Sequence, residues 1–184
     1  PAGSYTVTAS LFGYLPAVMQ DVAVAMDTVT TQDFALAPAP SHVVSGHVTD
    51  SATGWPLYAQ IAIGGYPGAP VWTDPVTGYY AVTLVDGIPY TFQTSAWVAG
   101  YVADARTVGP LAADTVVDIA LAADAMLCTA PGYVPGETCT APAGGGLAAG
   151  FVTNAANGEG LNGAAVQNED GYSTTSANGG PAGA

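Results

Sequence analysis

The chain has 184 residues, with 14 acidic side chains, a single basic one (Arg106) and no lysine, for a formal charge of −13. Phosphate contacts need Lys and Arg, so this balance argues against nucleic-acid binding and disfavours an anionic membrane surface. Half the residues (49%) are hydrophobic and only 8% are charged, the reverse of a disordered composition, so the chain is expected to fold.

Along the chain the apolar pattern has period two, the mark of half-buried strands. Tyr5, Val7, Ala9 and Leu11 share one face, with Thr6, Thr8 and Ser10 on the other. Residues 37–41 (APAPS) read as a stiff linker. Tyr80, Val82 and Leu84 form a second apolar face, and Thr115, Val117, Ile119 and Leu121 a third, with Asp118 pointing away. Turns follow the same rhythm: 50–54 (DSATG), 74–78 (DPVTG) and 154–158 (NAANG) each offer an Asx side chain to cap the backbone and a glycine to accept positive φ. With 14 prolines and 24 glycines, long helices are not expected; residues 121–127 (LAADAML) could form one helical turn. The expected class is therefore all-β, an antiparallel sandwich of short strands.

The chain also repeats itself. Residues 45–57 (SGHVTDSATGWPL) recur at 149–161 (AGFVTNAANGEGL), so that Gly46, Val48, Gly54 and Leu57 match Gly150, Val152, Gly158 and Leu161 at a constant offset. Residues 87–101 (GIPYTFQTSAWVAGY) and 114–122 (DTVVDIALA) echo 3–14 (GSYTVTASLFGY) and 27–37 (DTVTTQDFALA). The expected organisation is a back half of a sandwich at 1–38, a complete sandwich at 42–123, a linker at 124–146 and a front half at 147–184. The distance from Tyr90 to Gly100 exceeds that from Tyr5 to Gly13, which points to an insertion or bulge near Trp97. The third copy stops near Asn178, where its next strand is due.

These residues resemble the carboxypeptidase regulatory-like domain, a prealbumin-like or immunoglobulin-like β-sandwich. The resemblance rests on Gly46, Val48, Asp50, Gly54, Pro56 and Leu57, then Ala59 and Ile61, then Thr73, Asp74, Gly78 and Tyr80, then Gly87, Tyr90, Gly100, Tyr101 and Leu121. It implies an accessory module, used in tandem as a spacer or stabiliser on secreted bacterial peptidases, surface proteins and adhesins. Related pilin-type sandwiches carry Lys–Asn crosslinks; a chain without lysine cannot form them.

Candidate chemistry is sparse. Cys128 and Cys139 lack C-x-x-C spacing and have no histidine nearby, so one disulfide closing a short loop in an oxidising compartment is expected, with two free thiols the alternative. His42 and His47 are five apart on a strand and face opposite ways, which disfavours a shared metal. No nucleophile elbow or triad accompanies them. Asp114 and Asp118 share a strand face and read as solvated positions rather than a catalytic pair. Asp50, Asp74, Asp86, Asn154 and Asp170 sit in turns where calcium could bind, although no EF-hand-like loop is present. Trp55 and Trp72 are candidates for stacking on sugar rings, and the Thr/Ser-rich strands for O-linked glycans. No apolar run reaches the length of a spanning helix, and the chain begins without Met, as a mature or excised segment would.

The expected function is a non-catalytic, secreted or surface-exposed bacterial structural protein needing no cofactor. Its N- and C-terminal halves would complete each other between chains, head to tail, as a filament. The alternatives are a window on a longer array of sandwiches that serves as a stalk or spacer on a secreted peptidase or adhesin, and a carbohydrate-binding module.

Overall fold

A computed structural model of the chain describes residues 1–171 and 173–176. These residues form twelve strands and no helix, so the chain is all-β. The end of the third copy, near Asn178, lies outside the described residues. No helix among them is long and apolar enough to cross a membrane.

The strands fall into three groups along the chain. β1 (Gly3–Ala9) and β2 (Ala17–Val24) form an antiparallel pair. Then come β3 (Ser41–Asp50), β4 (Ala59–Gly64), β5 (Val71–Trp72), β6 (Tyr79–Val85), β7 (Tyr90–Ala96), β8 (Asp104–Val108), β9 (Thr115–Val116) and β10 (Ile119–Leu121). Last are β11 (Ala165–Gln167) and β12 (Ser173–Thr175), a second antiparallel pair.

The middle group builds two four-stranded sheets. In the first, β6 runs antiparallel along one edge of β3, while β9 and then β10 run parallel along the other. The second has the order β5-β4-β7-β8, all antiparallel. Alternate side chains of both sheets meet in one core, as the period-two pattern requires. Val44, Val48, Tyr80, Leu84, Ile119 and Leu121 come from the first sheet, and Ala59, Ile61, Tyr90, Phe92 and Val108 from the second. The rings of Tyr80 and Phe92 meet edge to face, 6.4 Å between centroids. The Tyr80 hydroxyl escapes burial without a partner by donating to the Val117 carbonyl (2.6 Å).

Two small residues permit this closure. Gly46 lies where the chain crosses β3 between β9 and β10, and a Cβ there would run into the Val117 carbonyl. Thr73 is fully buried at the start of the turn after β5; its hydroxyl accepts from the Ala59 amide (2.8 Å) and donates to the Leu57 carbonyl (2.7 Å). Arg106, the chain's sole base, ties the sheets at their margin: it pairs with Asp104 (2.6 Å) and donates to the Asp118 carbonyl (3.0 Å).

Residues 121–127 are not helical. The Asp124 carboxylate takes the amides of Met126 and Leu127, and the Cys128 amide returns to the Asp124 carbonyl. The return from Cys128 to Asp124 is one isolated i to i+4 turn capped by the Asx side chain, with nothing to propagate into, so no helix follows.

Thr73→Val keeps the shape of the side chain and strands both backbone partners in a dry core. We expect a loss of about 2 kcal/mol, read by urea unfolding. Gly46→Ala, which meets backbone rather than a movable side chain, is expected to prevent the first sheet from closing, seen as loss of cooperative unfolding.

Candidate functional site

The disulfide joins Cys128 to Cys139 and shapes a loop that folds back on the central sandwich. Gly100, at φ +97°, lets this loop approach so closely that a Cβ would strike the Ala130 amide. The loop then delivers Tyr133 to Asp50. This carboxylate is 1% exposed, and no cation faces it. It is held instead by four donors: the amides of Ala52 (2.8 Å) and Thr53 (2.9 Å), and the hydroxyls of Tyr101 (2.8 Å) and Tyr133 (3.0 Å). Burial pushes the Asp50 carboxyl up, but the hydrogen bonds from Thr53, Tyr101, Ala52 and Tyr133 outweigh it, so its pKa lies below the usual carboxylate value. Burial, and then the hydrogen bond to Asp50, push the Tyr133 hydroxyl up to about 12. Asp50, in sequence one of several turn residues open to calcium, is in the fold a buried carboxylate filled by donors from three parts of the chain.

Two of the other turn residues, Asp74 and Asn154, serve their own loops. Asp74 takes the amides of Val76 and Thr77 and the Thr77 hydroxyl, and Asn154 takes the Ala156 amide. No group of three or more His, Cys, Asp or Glu converges among the described residues. Asp114 and Asp118 are exposed, yet they are more than solvated positions. Each accepts a β3 amide, from Val43 and His47 respectively (both 2.9 Å), filling the gaps that short β9 and β10 leave in the ladder. The same carboxylates lie 3.7 Å from His42 and 3.6 Å from His47, so the two histidines are divided between two partners.

The two candidate sugar-stacking residues are not brought together. Trp72 is stacked on Tyr58 (4.9 Å, 21° between planes) and meets Trp97 edge on (5.6 Å). Trp55 instead lines a groove of about 340 Å3 with Leu57, Trp97, Phe151 and Val152, where the C-terminal pair of strands meets the central sandwich. There the Trp97 indole donates to the Thr175 carbonyl (3.1 Å).

The two outer groups reproduce the central sandwich bond by bond. In the centre the Asp50 amide bonds Trp55 O, the Leu57 amide bonds Val48 O, and Gly54 sits at φ +73°; near the C-terminus Asn154 bonds Glu159 O, Leu161 bonds Val152 O, and Gly158 sits at φ +74°. Ser176 repeats the role of Thr73, accepting from the Ala164 amide and donating to the Leu161 carbonyl. At the N-terminus, the bonds Leu15 to Ala37 O and Ala39 to Gly13 O copy Val102 to Ala122 O and Asp124 to Gly100 O. By these anchors β1-β2 corresponds to β7-β8, and β11-β12 to β4-β5.

Burial does not follow the hydrogen bonds. Tyr90, Leu57 and Ile61 are 0%, 4% and 0% exposed, whereas their counterparts Tyr5, Leu161 and Val166 are 39%, 42% and 46% exposed. Among the described residues each outer group presents a core face without an opposing sheet, although Val166 and Ser176 of the C-terminal one also line the groove shared with Trp55 and Trp97. Each also has open strand edges, that of β1 and that of β11 among them, since β1 pairs only with β2 and β11 only with β12 among the described residues.

The Asp50 cluster carries a signed pH dependence. A depressed folded-state pKa contributes stability that is complete above the unfolded carboxylate value and is lost as pH falls through the depressed one. The unfolding midpoint should thus hold steady at neutral pH and drop below about pH 4, more steeply in the parent chain than in Asp50→Asn. Tyr133→Phe should lower stability at pH 7 by about 1.5 kcal/mol, the scale of a hydrogen bond to a charged group, in chemical denaturation.

No family model matches the chain, and no curated protein matches it. Among solved structures it is similar to a DUF3823 family protein from Parabacteroides merdae, at 25% identity and a TM-score of 0.33, over 46% of this chain. The match spans 46% of that protein's length, less than half of it. The all-β reading stands on the strands and sheets of the chain itself.

Proposed function

We propose that the chain is a non-catalytic, extracellular structural protein of β-sandwich repeats. Its two outer units, each without an opposing sheet among the described residues, would complete one another between chains, head to tail, so that repetition builds a filament. The observation that carries this reading is the contrast in burial at matched positions: Tyr5, Leu161 and Val166 are exposed where Tyr90, Leu57 and Ile61 are sealed. A side chain of this size stabilises a fold by about 1.5–3 kcal/mol when fully buried, so two such faces are strongly driven to meet. An open strand edge beside each face adds a template for backbone pairing. A contact between two different surfaces of the same chain does not close on itself unless its rotation forms a ring, and otherwise propagates.

The resemblance to carboxypeptidase regulatory-like repeats supports the same class, a spacer or stalk rather than an enzyme. The disulfide is compatible with an extracellular, oxidising setting. Electrostatics oppose assembly. The N-terminal unit carries Asp21, Asp27 and Asp33 and the C-terminal one Glu159, Glu169 and Asp170, with no lysine or arginine on either.

The test is the mass of the 184-residue chain in solution as concentration rises. Light scattering should show growth beyond 18.2 kDa, and growth should strengthen with salt as like charges are screened. Val166→Asp or Leu161→Asp places an unpaired charge in the shared core and should weaken association by on the order of 100-fold, about 3 kcal/mol. Thermal unfolding of the central sandwich should stay in place. A parent chain that remains a monomer at every concentration and salt would falsify the proposal.

A further inference from the structure

Resting on that reading, we infer that β11 of one chain pairs antiparallel with β1 of the next. The product is one four-stranded sheet of order β12-β11-β1-β2, in which Val166 faces Ala9 and Gln167 faces Thr8.

The complete unit supplies the template. There the second sheet has the order β5-β4-β7-β8, and its middle seam is the antiparallel pairing of β4 with β7. β11-β12 repeats β4-β5, and β1-β2 repeats β7-β8. Among the described residues each outer group is therefore without the same seam, seen from its two sides. β11 keeps open the edge that β4 gives to β7, and β1 keeps open the edge that β7 gives to β4.

The register follows from anchors on each strand. Ala164 matches Ala59, because both amides donate to the buried hydroxyl of the following turn, Ser176 or Thr73. Val166 and Gln167 then stand where Ile61 and Ala62 stand. Tyr5 matches Tyr90, because they face Val22 and Val108, the buried valines of the neighbouring strand. Thr8 and Ala9 then stand where Gln93 and Thr94 stand. In the seam Ile61 faces Thr94 and Ala62 faces Gln93. The irregularity in β1-β2 does not disturb this transfer. Between Tyr5↔Val22 and Val7↔Met19 the extra residue lies on β2, near Asp21 at φ +56°, and β1 itself runs regularly.

A polar pair at the joint agrees with the pairing. In the central sandwich the Tyr101 hydroxyl donates to Asp50. The matching residues are Tyr14 on the N-terminal group and Asn154 on the C-terminal group, held by matching bonds of their own loops. Completion of the unit brings the phenol to a neutral amide. The joint therefore has a polar partner for Tyr14 without burying a second carboxylate between chains that already repel.

The decisive experiment is a double cysteine variant, Thr8→Cys with Gln167→Cys, oxidised at a concentration where the parent chain assembles. Both positions point away from the core, as exposed Gln93 does in the complete sheet. Non-reducing electrophoresis should show a ladder in multiples of 18.2 kDa, collapsed by reductant. A displaced pair, Ser4→Cys with Gln167→Cys, should give no ladder. Assemblies by light scattering that lack the Thr8–Gln167 ladder, or in which both pairs link equally, would overturn the register while leaving complementation standing. A linked monomer would show that the halves close within one chain and would overturn the inter-chain joint. Absence of any assembly in the parent chain would overturn register and complementation together.

Discussion

Asp50 is an ionised side chain taken out of water with no cation to meet it, and four hydrogen-bond donors from three parts of the chain converge on it. Two belong to its own turn, one to the strand return after β7, and one to the disulfide loop. Burying a charge is tolerable only when its lone pairs are filled by well-placed donors. The turn, the return and the loop must consequently all be in place together. The disulfide and Gly100 are parts of the same device, because they bring the loop close enough for Tyr133 to reach the carboxylate.

The outer groups show what happens to the same local chemistry without its tertiary counterpart. Their turns, caps and backbone bonds match those of the central sandwich closely, since these depend on residues a few positions apart. Their core faces remain exposed, since sealing them needs a second sheet from distant chain. Local hydrogen bonding and global burial are here separated within one molecule. Asn154 stands where Asp50 stands in the central sandwich, and it takes the Ala156 amide of its own turn as Asp50 takes that of Ala52.

Much of the architecture was legible in the alternation of apolar residues. Tyr80, Val82 and Leu84 read as one face and are one face of the core; Ile119 and Leu121 read as buried and are. The cysteine spacing led to a short closed loop. Other features were not legible. Asp114 and Asp118 looked like solvated positions because nothing in their spacing reveals that β9 and β10 are too short to satisfy β3, leaving the amides of Val43 and His47 to be taken by side chains. Trp55 and Trp72 offered the same stacking chemistry in the sequence, yet one lines a groove and the other is stacked on Tyr58 with Trp97 edge on.

By itself the sequence determined what depends on neighbours along the chain: strand periodicity, Asx-capped turns, glycines at positive φ and the internal repeat. Each is a matter of steric and hydrogen-bonding choices within a few residues. Only the tertiary structure decided which carboxylate is buried, which edges stay open and which apolar faces stay wet. Those outcomes depend on which distant segments arrive to supply donors and cover surface, and no local pattern encodes that arrival.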